Sequence, residues 1–90
     1  MDAARTEDRA TRIKRLHMRS MRRGIKEMDI LLMRFAAERL EAMEADALDA
    51  YEALLSENDQ DLYQWVSGQR PAPEEHSRLV AEIARVAAHG

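Results

Sequence analysis

Met28, Leu31, Leu32, Phe35 and Ala36 recur at the i, i+3, i+4, i+7, i+8 spacing of a single helix face, and Leu40 follows one turn further. Strand side chains alternate with a period of two, so the same residues in a strand would be split between core and water. The spacing therefore predicts an amphipathic helix over about 25–40, with Asp29, Arg34, Glu38, Arg39 and Glu41 on its other faces. Such a stripe has to be buried, and three more stripes follow it. Ala47, Leu48, Tyr51, Leu54 and Leu55 form one. Leu62, Trp65 and Val66 form a short second, and Leu79, Val80, Ile83, Val86 and Ala87 a third. A helix ahead of residue 24 is thinner in apolar content. Ile13 and Leu16 lie on one stripe and Met18, Met21 and Ile25 on another, so it is predicted to lie on a core rather than inside one.

Punctuation between the stripes supports the same division. Thr6 is placed to cap the first helix, with Glu7 and Asp8 in its first turn, and residues 1–5 ahead of it are expected to be flexible. Gly24 is the expected left-handed terminator of that helix. Glu44-Ala45-Asp46 is an acidic helix start, Asn58 an N-cap with Asp61 at the third helical position, and Gly68 a stop. Pro73 opens the last helix after the rigid Gln69–Pro73 connector. The fold class predicted is all-α, a compact five-helix bundle forming one domain over residues 1–90. Its core is expected to hold Leu31, Leu32, Phe35, Tyr51, Leu54, Trp65 and Ile83, with methionines as core filler.

Several function classes find no support. The chain has no cysteine, hence no disulfide, thiolate ligand or cysteine nucleophile. His17, His76 and His89 are scattered, without metal-ligand spacing. Ser20, Ser56 and Ser67 sit in no nucleophile elbow, and acid pairs such as Glu74-Glu75 or Asp59 and Asp61 are explained by helix starts. There is no Gly-rich phosphate loop. The longest apolar run, Ile30 to Met33, is four residues, so no membrane insertion is expected. The reading is a mature soluble protein with no catalytic, metal-ligating or cofactor-binding residues of its own.

Charge is polarised. Residues 1–26 carry nine basic and three acidic residues, whereas residues 27–90 carry five and fourteen. Arg19, Arg22, Arg23 and Lys26 crowd around Gly24, where a partner backbone can come close because no side chain intervenes, with Glu27 beside them. Such a patch is a candidate protein-binding surface. A nucleic-acid-binding module using the basic first helix is the rival reading, but residues 1–26 contain no Phe, Tyr or Trp for base stacking. A plain oligomerisation bundle leaves the patch without a reason.

Arg23-Gly24-x-x-Glu27 resembles the RGxxE motif of the SdhE-type FAD assembly factors, whose mitochondrial counterparts are the succinate dehydrogenase assembly factors. The resemblance extends through Arg22–Ile30, through Leu48–Leu55, and through the Asp-rich turn and Trp-bearing segment Asn58–Trp65. It spans about residues 12–68 in the family's order. Asp59 stands where the family often has Pro, and Glu44 where it often has a Ser cap; both are predicted helix starts. The resemblance implies a five-helix, non-enzymatic assembly factor of the family's usual size, acting as a monomer in the bacterial cytoplasm. It would bind the flavoprotein subunit of succinate dehydrogenase, or of the related fumarate reductase, and promote covalent attachment of FAD to a histidine of that partner, holding no stable cofactor itself. By the same implication Arg23, Gly24 and Glu27 lie on the contact face.

Overall fold

The computed structural model describes residues 7–89, so the expectations for residues 1–5 and for Thr6 lie outside it. Five helices follow in order: α1 Arg9–Arg19, α2 Lys26–Arg39, α3 Ala45–Leu55, α4 Asp59–Val66 and α5 Glu74–His89. A 3-10 turn, Leu40–Ala42, extends α2. No strand occurs among the described residues. The radius of gyration is 12.8 Å, close to the roughly 12 Å of a compact chain of this length.

The strongest apolar stripe forms the hub. α2 packs against α1, α4 and α5, and α5 in turn packs against α3 and α4. Leu32, Phe35, Leu40, Tyr51, Leu54, Leu62 and Ile83 are fully or almost fully buried. The Phe35 and Tyr51 rings meet at 5.5 Å between centroids, in a tilted pair that locks α2 to α3. α1 contributes only Ile13 and Leu16, as its thin stripe predicts.

Two members of the predicted core sit at its edge instead. Leu31 and Trp65 are half-buried and pack against the core from outside. The Trp65 ring packs beside the buried His76 ring, at 5.9 Å between centroids. The methionines divide as well. Met28 is buried and Met43 packs on the core, whereas Met18, Met21 and Met33 are exposed.

Helix ends show where local signals were decisive. Asn58 caps α4, its side-chain oxygen accepting from Gln60 N–H at 2.8 Å, at the second helical position rather than the third. Gly68, with φ of 84°, closes α4. Gln69 N–H donates to Gln64 C=O at 2.8 Å and Gly68 N–H to Trp65 C=O at 3.2 Å, the double bond pattern of a Schellman stop. α1 differs from expectation at both ends. Asp8 caps it, accepting from Thr11 N–H at 2.7 Å. It ends at Arg19, well before Gly24, and the residue after it, buried Ser20, donates its hydroxyl to Leu16 C=O at 2.8 Å and lies 2.6 Å from the Tyr51 hydroxyl. The left-handed residue in the following turn is Arg22, with φ of 56°, so Gly24 is not a left-handed terminator.

Candidate partner-binding site

The α1–α2 turn, residues 20–25, holds Arg22, Arg23 and Gly24, three of the six predicted site residues, and is organised by one carboxylate. Asp59, the first residue of α4, accepts from Arg23 Nε through Oδ1 at 2.7 Å and from Gly24 N–H through Oδ2 at 2.7 Å. A negative charge at that position also complements the helix dipole. The rest of the Arg23 guanidinium serves two other helix ends: Nη1 donates to Arg19 C=O at 2.9 Å and Nη2 to Leu55 C=O at 2.9 Å. These are orphan carbonyls at the ends of α1 and α3, which a planar fork of donors is shaped to satisfy. The Arg23 backbone N–H donates to Asp29 Oδ1.

This overturns the expectation that Arg23 is held in reserve at the surface. Its side chain is 11% exposed, and it fastens α1, α3 and α4 to one turn. Arg19 is also engaged, donating from Nη2 to Ser56 Oγ at 3.3 Å. Arg22, Gly24, Lys26 and Glu27 remain exposed. Arg22, Lys26 and Glu27 make no ion pair among the described residues.

The polarised charge of the sequence is largely satisfied within the fold. Arg12 Nη2 lies 2.6 Å from Asp49 Oδ1 and 3.1 Å from Glu52 Oε1, and Arg15 Nη1 lies 2.9 Å from Glu52 Oε2. Arg15 Nε also pairs with Glu7 at 2.8 Å. Hydrogen bonds from Arg15 and then Arg12 hold the Glu52 carboxyl below the usual glutamate range, against the opposing effect of burial. The signal was present in the sequence: Arg12, Arg15 and Arg19 share the i, i+3, i+7 spacing of Asp49, Glu52 and Ser56.

Apolar exposure is concentrated at the same end of the chain. Among the described residues the exposed large hydrophobics are Met18 at 61%, Met21 at 37%, Ile30 at 56% and Met33 at 44%; Met18 lies on α1, Met21 in the turn, and Ile30 and Met33 on α2. Beside Glu27 and Ile30 runs a shallow groove of about 340 Å³ between α2, α4 and α5, lined further by Leu31, Tyr63, Val66, Ser67, Ala84 and Ala87. A second hollow, of about 560 Å³, lies between the start of α3 and α5 and is edged by Glu44, Asp46, Glu75 and Glu82 with Arg78.

One grouping of possible metal ligands escaped sequence reasoning because it is assembled across 19 residues. Glu57, Glu75 and His76 bring one ligand atom each within 4.8 Å of one another. His76 Nε2 lies 2.8 Å from Glu57 Oε2, a hydrogen bond that ties the α3–α4 turn to the first turn of α5 and satisfies the buried ring without an ion.

Fold and turn together define a small all-helical protein with exposed apolar and charged residues on the turn and on the two helices that it joins. Residues 14–87 match the family model described as flavinator of succinate dehydrogenase, and the chain belongs to that family. It is similar to "Succinate dehydrogenase assembly factor 2, mitochondrial" of Schizosaccharomyces pombe, with 41% identity over 81 residues, covering 88% of this chain and 58% of that protein. The protein of the same name from Candida glabrata is 51% identical over 53 residues, covering 59% of this chain and 35% of its own length. "Succinate dehydrogenase assembly factor 2-A, mitochondrial" of Drosophila persimilis is 35% identical over 77 residues, covering 83% and 48%. The chain spans about half the length of these relatives. Among the described residues no helix is long and apolar enough to cross a membrane.

Proposed function

We propose that this protein is an assembly factor that binds the flavoprotein subunit of succinate dehydrogenase and promotes covalent attachment of FAD to it, in the bacterial cytoplasm and as a single copy. The observation that carries the reading is that the stretch 18–33 holds the exposed large hydrophobic residues among those described, Met18, Met21, Ile30 and Met33, together with exposed Arg22, Lys26 and Glu27, which have no ion-pair partner among the described residues. Apolar side chains ringed by free charges are the composition of a protein-docking surface. The family match and the names of the relatives supply the partner class.

The contact face comprises Gly24, Glu27, Arg22 and Lys26 directly, with Arg23 and Arg19 acting as the braces that hold the turn. Binding favours an attachment-competent conformation of the flavin-loaded partner. The population of that conformation rises by the difference in affinity between it and the alternatives, and the bond-forming histidine belongs to the partner. A phosphate backbone, by contrast, would have to displace Asp49, Glu52 and Asp59 from the guanidinium groups they hold.

In-gel fluorescence of covalent flavin on the partner subunit, in cells lacking this protein and in cells complemented with it, tests the reading. Complementation should restore the fluorescent band. Equal flavin content with and without the protein would remove the proposed role.

A further inference from the structure

We infer that the groove beside Glu27 is an anchor pocket for one apolar side chain of the partner flavoprotein, on a segment that also carries a basic residue for Glu27. The inference rests on the docking role proposed above and goes beyond it in naming the chemistry the pocket selects. Ala84 and Ala87 keep one wall low, while Leu31, Tyr63 and Val66 make the others apolar. The groove's volume of about 340 Å³ is at the small end of ligand-pocket sizes, room for an anchoring side chain rather than a whole helix.

Charge selects the occupant. Glu27 lines the groove, is exposed, and makes no ion pair among the described residues, so an incoming cation meets a carboxylate already available. Ile30, one helical turn from Glu27, stands more than half exposed on the same rim and can close over an inserted side chain. An aliphatic or aromatic anchor with a Lys or Arg near it satisfies both features at once. A free anion is disfavoured by Glu27. Glu27, in the first turn of α2 next to Lys26, belongs both to the groove lining and to the contact face proposed above, so the two share that residue.

Biolayer interferometry with purified, non-covalently loaded succinate dehydrogenase flavoprotein subunit provides the test, using wild type, Ile30→Ser, Ala84→Gln and Glu27→Gln. Circular dichroism melts check that each variant is folded; Ile30 is exposed, so its replacement leaves the core untouched. Ile30→Ser, which removes the apolar rim, and Ala84→Gln, which fills the groove, should each weaken binding by about tenfold or more, as unseating a buried anchor does. Glu27→Gln should also weaken binding and flatten its dependence on salt. Wild-type affinity in all three folded variants would overturn the anchor pocket while leaving the assembly role standing. No binding by wild type would overturn the assembly role and the pocket with it. Sedimentation showing a wild-type dimer that Ile30→Ser dissolves would assign the groove to a second copy of this chain, and that too overturns the proposal.

Discussion

Arg23 and Asp59 stand 36 residues apart in the chain and are joined by a 2.7 Å hydrogen bond from Nε to Oδ1, both side chains largely shielded from water. Removing the guanidinium would leave Asp59 facing the turn without its cation and strip the carbonyls of Arg19 and Leu55 of their donors. Arg23→Ala should therefore cost about 2–4 kcal/mol, toward the lower side of a broken buried pair because some solvent reaches both groups. Arg23→Lys should recover little, since an ammonium cannot reach three acceptors in a plane. Urea denaturation followed by helical circular dichroism measures both; a variant within 0.5 kcal/mol (about the usual scatter of surface changes) would refute the brace.

Gly24 and Glu27 should behave in the opposite way. A Cβ on Gly24 would meet Asp59 Oδ2 at 3.2 Å, so a small side chain asks a carboxylate to shift by a few tenths of an ångström without left-handed strain. Glu27 is exposed and unpaired among the described residues. Gly24→Ser and Glu27→Ala should stay within about 1 kcal/mol of wild type. Both should nonetheless lower covalent flavin on the partner in complemented cells. Normal flavin content in both would leave this end of the molecule without a binding role.

Ser20 and Tyr51 form the buried polar contact behind the turn, with their oxygens 2.6 Å apart. Burial, only partly offset by the Ser20 bond, pushes the Tyr51 phenol up to about 12. Tyr51→Phe should cost about 0.5–1.5 kcal/mol near neutrality, since Ser20 keeps its bond to Leu16 C=O. A raised folded pKa means that the neutral form is favoured in the fold. Its contribution is complete below the ordinary value of 10.0 and disappears as pH rises toward 12. Urea midpoints at pH 8 and pH 11 should thus show wild type losing ground to Tyr51→Phe at the higher pH. A constant gap between the two would contradict a buried phenol.

The number, order and apolar faces of the helices were legible because periodicity is local: Phe35, Tyr51, Leu54 and Ile83 sit where their stripes put them. The stop at Gly68 was legible for the same reason. What was not legible depends on contacts across the chain. Gly24 looked like a terminator, but α1 stops at Arg19 and the left-handed residue is Arg22, in a turn fastened by the distant Asp59. Arg23 looked like a surface cation because its three acceptors, Arg19 C=O, Leu55 C=O and Asp59, come from three different helix ends. Asp59 itself was read only as a helix-start acid and as a departure from a family pattern, although it holds both Arg23 and Gly24.

Glu52 carries one part of the acid sensitivity of the fold. It receives Arg12 and Arg15 in one carboxylate, and the Arg15 bond is the larger cause of its lowered pKa. A carboxyl with a depressed folded pKa stabilises the protein fully above its unfolded value, near 4.5, and ceases to do so as pH falls through the folded value. Glu52→Gln cannot ionise and leaves Arg12 and Arg15 short of one counter-charge. With about a third of its side chain exposed, the loss should be about 1–2 kcal/mol near pH 7, between the worth of an exposed pair and that of a buried charged hydrogen bond. For a domain of this size each kcal/mol lowers the melting temperature by about 4–8 °C. The difference between wild type and variant should be constant from pH 8 to pH 6 and should shrink below pH 4.5, as protonation makes the two side chains alike. Glu7 and Asp8 also have lowered pKa values, so wild type alone will lose stability in acid for several reasons; the difference isolates Glu52. A melting-temperature difference that stays the same down to pH 3 would show that the ladder between α1 and α3 contributes shape but no charge-dependent stability.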